Sequence, residues 1–136
     1  MRRLSEDAVI LRTVEWLSNN SYKNIKSKTT DEHGVDIRAN KSYGRFVYIE
    51  CKGDSDANSQ REVNFVYALG QIVTRMSRSK FQSYGLALPK SYESKLKRIP
   101  WQFAKRNSVF VLLVNVDGKI ERYTWKDLKK KYNGAK

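Results

Sequence analysis

A nearly unbroken apolar run late in the chain most constrains how it can fold. Residues 108–116 read SVFVLLVNV, and seven of these nine are apolar. The run is far shorter than the roughly 20 residues of a membrane-spanning helix, and its β-branched residues predict a strand that is buried on both faces. Such a strand requires a covering layer on each side of its sheet. We therefore expect an α/β protein, and the length predicts one domain over residues 1–136.

The other elements alternate in a way that supports this layered fold. Helices are predicted at 5–18, capped by Ser5, at 61–78, and at 92–106 with an interruption near Pro100. Strands are predicted at 23–28, 34–40, 45–52, 84–88 and 108–116. The segments 34–40 and 45–52 alternate at period two around the turn 41–44, so we expect them to pair. The order α-β-β-β-α-β-α-β predicts a mixed sheet flanked by helices.

Positive charge is concentrated in the second half of the chain. The formal net charge is +13, with 27 basic and 14 acidic side chains, and almost all of the excess follows residue 62. It predicts a polyanionic partner, nucleic acid rather than an anionic membrane, because no helix has a strong basic amphipathic face. No signal peptide opens the chain, so we expect a cytoplasmic protein associated with the nucleoid. The single cysteine excludes a disulfide framework and a multi-cysteine zinc site.

Acidic side chains fall on matching faces of the two paired strands. If 45–52 is a strand, Glu50 and Lys52 project from one face, while Cys51 points to the core. Asp36 of the neighbouring strand can then come together with Glu50. Two adjoining carboxylates repel unless a cation lies between them, and carboxylate oxygens suit Mg²⁺. A metal-bound water can attack phosphorus while Lys52 orients or deprotonates it.

Glu15 provides a further acid. On a helical wheel it falls inside the apolar arc of the first helix, between Ala8 and Leu11. A carboxylate that points inward needs a partner, so we expect it near the site. A structural salt bridge, for example to Lys52, is the alternative.

Two short segments resemble motifs of a known nuclease superfamily. Residues 33–37 (HGVDI), which contain the only histidine, and residues 48–53 (YIECKG) resemble the PD-(D/E)XK nucleases, with Val35 where the superfamily name has Pro. The resemblance spans about residues 5–88 and implies a restriction-endonuclease-like αβββαβ core. The chain is most similar to small Mrr-type restriction endonucleases, and archaeal Holliday-junction resolvases are a second neighbour.

The resemblance also implies roles for individual residues. Asp36 matches the first acid of the motif, and Glu50 and Lys52 match its Glu-X-Lys part. Glu15 matches the acid that often lies on the preceding helix. Gln71 matches the amide that often lies on the following helix. The catalytic residues expected are therefore Asp36, Glu50, Lys52, Glu15 and Gln71, with Asp36 and Glu50 as metal ligands.

The second helix carries a polar stripe with two interpretations. Asn64, Gln71, Arg75 and Arg78 lie nearly opposite an apolar arc that includes Val66 and Val73. A solvated face is one interpretation, and contact with substrate phosphates is the other, which we favour for Gln71 and Arg75.

Together these patterns predict a Mg²⁺-dependent DNA endonuclease of restriction type, with Mn²⁺ able to substitute. The alternatives are a Holliday-junction resolvase and a non-catalytic DNA-binding module on the same fold. Cutting two strands requires two sites, so we expect a homodimer, with Trp101, Phe103 and residues 108–116 as candidate interface elements. The candidate DNA-binding residues are Arg75, Arg78, Lys80, Lys95, Lys97, Arg98, Lys105 and Arg106.

Overall fold

The structure, a computed structural model, describes residues 3–27, 36–42, 44–77 and 81–132. Along them the chain forms α1 (Glu6–Asn19), β1 (Lys23–Ser27), β2 (Ile37–Ser42), β3 (Arg45–Cys51), α2 (Asn58–Arg75), β4 (Gln82–Pro89), a 3₁₀ helix (Lys90–Arg98), α3 (Trp101–Asn107), β5 (Val109–Val114), β6 (Ile120–Tyr123) and α4 (Trp125–Tyr132). Among these residues no helix is both long and apolar enough to cross a membrane.

The six strands form one mixed sheet in sequential order. β3, β4 and β5 run parallel, whereas the β1–β2, β2–β3 and β5–β6 pairs are antiparallel. Ile37 lies opposite Ile49, so the predicted pairing of the second and third strands is confirmed. The α/β fold, with a mixed sheet flanked by helices, is as predicted and is consistent with a restriction-endonuclease-like core.

Each face of the sheet is covered by a different set of helices. Val9 and Leu17 of α1 belong to one buried cluster with Ile49 and Cys51 of β3. The opposite cluster contains Phe65 and further residues of α2, together with residues of the 3₁₀ helix, α3 and α4. Because side chains alternate along a strand, Glu50 points to the α2 side.

The start of α1 lies directly against the end of β3. The Ala8 N–H donates to Ser5 Oγ at 3.1 Å, so the predicted N-cap is confirmed. An ideal Cβ on Gly53 would lie only 2.5 Å from the backbone nitrogen of Glu6. Glycine at position 53 is therefore what allows the first turn of α1 to approach the strand end.

The last third of the chain contains more structure than its sequence pattern predicts. Pro100 separates the 3₁₀ helix from α3, which confirms the predicted interruption. The short strand β6 and the lysine-rich helix α4 were not predicted. β5 lies between β4 and β6 and is largely buried, so the expectation that residues 108–116 form a dimer interface is wrong for this strand. Trp101 and Phe103 pack against the core instead of projecting from it.

Candidate active site

Asp36 and Glu50 come together on the α2 face of the sheet. Ile37 is opposite Ile49, so Asp36, one residue earlier, comes opposite Glu50, one residue later. Residues directly opposite each other on antiparallel strands have Cβ atoms about 4.5–5.5 Å apart. Both are buried, with Asp36 3% and Glu50 1% exposed. The Cys51 backbone N–H donates to Asp36 Oδ2 at 2.7 Å and orients this carboxylate.

α2 supplies a cation beside the buried Glu50. Arg75 Nε lies 3.4 Å from Glu50 Oε1, and the arginine side chain is 27% exposed. Charge-assisted hydrogen bonds are usually 2.7–2.9 Å long, so this ion pair is looser than an optimised one. Arg75 can therefore neutralise Glu50 while its side chain remains partly exposed to solvent.

The polar stripe of α2 borders the sheet and does not lie opposite the core. Asn64, Gln71 and Arg75 are all half-buried, so the prediction that they lie nearly opposite the core is wrong, and the interpretation of the stripe as a fully solvated face does not hold for them. Val66 and Val73, predicted to lie in the core, are 51% and 49% exposed. The helix is rotated relative to the prediction because Phe65, Ala68 and Ile72 set the buried line.

Gln71 presents a shielded acceptor next to this arginine. Its Oε1 is buried and has no hydrogen-bond partner among the described residues. Its backbone carbonyl accepts a hydrogen bond from Arg75 Nη1 at 3.3 Å. Buried amide oxygens are normally hydrogen-bonded, so Oε1 is suited to accept from a water or a substrate hydroxyl.

Lys52 lies just beyond β3, on the same side as Glu50. It is half-buried, and its Nζ lies 4.7 Å from the centroid of the Tyr67 ring, within the range of a cation–π contact. The Tyr92 hydroxyl donates to the Gly53 carbonyl at 2.8 Å and so ties the following loop to the 3₁₀ helix. α2 and the 3₁₀ helix thus fix where Lys52 leaves the sheet.

Hydrogen bonds also hold Asp54 in this loop. It accepts from Arg61 Nε at 2.9 Å, from Ser91 Oγ at 2.8 Å and from the Ser55 N–H at 2.8 Å. Burial opposes ionisation, but these hydrogen bonds prevail and lower the pKa of Asp54. Asp54 therefore acts as a charged anchor of the loop.

Glu15 does not join the site, and its expected inward orientation is wrong. It is exposed on α1, and α1 covers the face of the sheet opposite Glu50. The buried line of α1 is Val9, Thr13 and Leu17, whereas Leu11 is 59% exposed. A helical wheel does not fix the direction of the core when apolar residues occur on several sides, as they do here.

Glu6 is the acid of α1 that the sequence interpretation missed. Its backbone lies against Gly53 at the end of β3. Burial raises the pKa of the Cys51 thiol well above its usual range, and the charges of Asp36, Glu6 and Glu50 raise it further. Glu6 is therefore an acid of α1 whose charge reaches Cys51 at the strand end. An acid in the first turn of a helix is usually explained by its interaction with the helix dipole. The sequence pattern therefore did not distinguish Glu6 from an ordinary first-turn acid.

The donor set suits a hard divalent ion with an incomplete protein shell. Among the described residues, no three acidic, histidine or cysteine side chains are grouped as a metal site. Mg²⁺ is commonly bound through one or two carboxylates, with waters and substrate phosphate as its other ligands. Asp36 and Glu50 fit that pattern. His33 lies outside the described residues.

Apart from Arg75, which pairs with Glu50, the candidate DNA-binding residues divide into three groups. Lys95 is 6% exposed, and its Nζ lies 2.9 Å from Asn58 Oδ1 and 3.3 Å from Glu62 Oε1, so its expected role as a surface contact is wrong. Arg98 is also paired with Glu62, although it remains partly exposed. Exposed positions are held by Lys97, Lys105 and Arg106. Arg78 and Lys80 lie outside the described residues.

Comparison with known proteins supports the fold. No family model and no curated protein matches the sequence. The structure is similar to the crystal structure of an XisH family protein from Nostoc punctiforme PCC 73102, with a TM-score of 0.54 and 21% sequence identity. The match covers 85% of this chain and 98% of the other. At this identity the similarity establishes a shared fold.

Proposed function

We propose that this chain is a metal-dependent DNA endonuclease that hydrolyses phosphodiester bonds. The observation that carries the proposal is the pair of buried carboxylates, Asp36 and Glu50, placed opposite each other with Lys52 directly beyond. Burying two opposed acids is costly unless a cation neutralises them. A protein that only binds DNA gains nothing from such a pair, because it would repel the phosphates.

The residues around the pair have complementary roles in this proposal. Asp36 and Glu50 would hold Mg²⁺, which supplies an activated water and neutralises charge at phosphorus. Lys52 would orient the attacking water and stabilise the charge that develops on the phosphate oxygens, and Gln71 Oε1 would accept a hydrogen bond from that water. Arg75 balances the charge of Glu50 and presents its exposed part to a phosphate.

Cleavage assays test the proposal directly. Supercoiled plasmid, linear duplex and a four-way junction are incubated with Mg²⁺, Mn²⁺ or EDTA. We expect cleavage only with metal, and a loss of at least about 100-fold in Asp36→Asn and Glu50→Gln. Asp117→Asn, in an exposed turn, is the matched control, and Glu15→Gln should also retain activity. Absence of metal-dependent cleavage on all three substrates refutes the proposal.

The same assays separate the two alternatives. Preferential, symmetric nicking of the four-way junction would identify a junction resolvase. Salt-sensitive DNA binding without cleavage would identify a binding module, since phosphate contacts alone make affinity fall with salt. Within the proposal a restriction-type activity requires two cuts and hence two active sites.

We propose further that the active form is a homodimer assembled through the outer face of α2. Nine residues of α2 are exposed and none of them is charged, although 30% of the chain is charged. Every charged residue of α2 is half-buried on the inner side. The apolar members of the outer face include Val63, Val66, Tyr67 and Val73.

A second copy of the chain fits this face better than a different partner does. Two proteins with a net charge of +13 repel each other over most of their surfaces, and the outer face of α2 offers contact without opposing like charges. Val63, Val66, Gly70 and Val73 are spaced by 3, 4 and 3 residues, the repeat of a helix-pairing seam. The space above Gly70 is open, so helices can approach closely there. This spacing is the same in both directions along the helix, so two copies of α2 can pair around a two-fold axis.

Sedimentation equilibrium over about 1–100 μM tests this interface separately from catalysis. We expect a dimer for the wild type and a monomer for Val66→Glu. Leu11→Glu, on the exposed side of α1, is the matched control and should remain dimeric. Circular dichroism checks that both variants are folded. A monomeric wild type, or a Val66→Glu protein that still dimerises, contradicts the assignment.

A further inference from the structure

A concave site lies at the opposite end of the sheet from Asp36 and Glu50. It is a cavity of about 500 Å³ at the amino ends of β3, β4 and β5, where Phe46, Ser83 and Val109 line it. α3, α4 and Tyr22, the residue before β1, also line it. Phe46 precedes Glu50 by four residues on one strand, which corresponds to about 13 Å. The cavity is therefore separate from the carboxylate site.

Among the described residues, those that line the cavity include five cations and no acidic residue. No ion pair joins any of the five to a carboxylate within the part of the chain that the structure describes. Like charges around one concave surface repel, and low-dielectric walls strengthen the potential inside. An anion is the ligand that such a surface favours. The five cations are Lys41, Arg45, Lys105, Arg122 and Lys126.

Aromatic rings occupy the space between these cations. Phe46 and Phe81 are 40% and 55% exposed at the rim, which is unusual for phenylalanine. Trp125 lines the cavity, and its ring stacks on Trp101 with centroids 5.9 Å apart. Lys105 Nζ lies 4.7 Å from the Trp125 ring centroid. The lining thus combines flat aromatic surfaces with positive charge.

The floor of the cavity is apolar and fixed in position. Val47, Ala104 and Val109 are buried beneath it. The ring of Phe110 lies over Gly85, where an ideal Cβ would come within 2.8 Å of Phe110 Cζ. Glycine at position 85 is therefore required for the ring to lie where it lines the cavity. This arrangement is preformed by the packing of the sheet.

We propose that this cavity binds a nucleotide, with the phosphate held by the cations and the base stacked on the aromatic rings. Guanidinium and ammonium groups recognise phosphate by charge-assisted hydrogen bonds, and aromatic side chains stack on bases of any sequence. The volume lies within the usual range for small-molecule sites. The ligand is either a free mononucleotide or an unpaired nucleotide of a strand, which share this chemistry.

Tryptophan fluorescence tests the proposal, because Trp125 lines the cavity. AMP, adenosine, pyrophosphate and a short single-stranded oligonucleotide are titrated in EDTA, which makes the result independent of the metal-dependent activity. We expect saturable quenching, with AMP or the oligonucleotide binding more tightly than adenosine or pyrophosphate. The double variant Arg122→Ala/Lys126→Ala should weaken binding by about tenfold or more. Lys26→Ala/Lys119→Ala removes two exposed cations outside the cavity and should leave binding unchanged.

Each outcome either distinguishes a free nucleotide from a nucleotide within a strand or contradicts the proposed binding site. Binding of AMP identifies a free nucleotide, and binding of the oligonucleotide alone identifies a nucleotide within a strand. Pyrophosphate as tight as AMP overturns the role of the rings. Absence of saturable quenching, or equal affinities in the two double variants, overturns the cavity as the binding site. Asp36→Asn, which removes a proposed metal ligand, should bind AMP like the wild type.

Discussion

Replacing Arg75 by alanine tests whether Glu50 depends on α2 for its counter-charge. Two unit charges 3.4 Å apart attract by about 5 kcal/mol at an effective dielectric constant of about 20. Solvent screening of the arginine, which is 27% exposed, and the desolvation of both ions offset part of this attraction. We expect Arg75→Ala to lower the free energy of unfolding by about 2–3 kcal/mol. The corresponding fall in Tm is about 10 °C.

Urea unfolding at pH 7 measures this loss as a lower midpoint at constant slope. Arg106→Ala removes an exposed arginine from α3 and should cost less than about 0.5 kcal/mol. In a Glu50→Gln background the Arg75 substitution should cost less than about 1 kcal/mol, because the buried negative charge has been removed. An equal cost of Arg75→Ala in both backgrounds would refute the reasoning.

Magnesium adds a readout of the same pair that does not depend on cleavage. A ligand that binds only the folded protein stabilises it. Because a metal ion can neutralise Glu50 in place of Arg75, millimolar Mg²⁺ should raise the Tm of Arg75→Ala more than that of the wild type. It should not raise the Tm of Glu50→Gln. Equal shifts in all three proteins would place the ion elsewhere.

Four further substitutions test the packing and the charge interactions of the fold. Gly53→Ala places a Cβ against the backbone of α1 and should lower the free energy of unfolding by about 2 kcal/mol or more in thermal unfolding. Gly70→Ala adds a Cβ in open space on α2 and should raise the free energy of unfolding of the monomer by about 0.5–1 kcal/mol. A hydrogen bond from Lys131, chiefly, lowers the pKa of Glu93 from 4.5 to about 2. Ionised Glu93 therefore stabilises the folded protein fully above pH 4.5, and this contribution is lost as the pH falls towards 2. Unfolding curves from pH 6 to 2 should show a shallower decline in Glu93→Gln than in the wild type. Lys95→Met should lower stability by about 1–2 kcal/mol in urea and leave DNA affinity unchanged in a filter-binding assay, because this lysine is buried.

Strand alternation could be predicted from the sequence because it has a period of two. Once 45–52 is identified as a strand, Glu50 and Cys51 must point to opposite faces, and the structure places them so. The pairing of the hairpin then brings Asp36 to Glu50 with no further information. The central part of the candidate site therefore follows from local pattern.

Helix orientation could not be predicted in the same way. Both α1 and α2 carry apolar residues on more than one side, so periodicity leaves the rotation about the helix axis open. Packing sets the rotation of α1 by burying Val9, and Glu15 is thereby exposed. It sets the rotation of α2 by burying Phe65, and Gln71 and Arg75 are thereby turned inward. Each of these differences follows from contacts between residues far apart in the chain.

The sequence by itself determined the α/β order, the hairpin and the two acids, since each rests on neighbouring residues and a fixed period. Only the tertiary structure decided which acid of α1 approaches the strand end, Glu6 and not Glu15, and which cation pairs with Glu50. It also decided that the excess positive charge gathers partly around a cavity at the other end of the sheet. Each of these places joins residues of at least two elements that are far apart in the chain. Whether these residues come into contact depends on how the helices pack on the sheet, which a local sequence pattern does not predict.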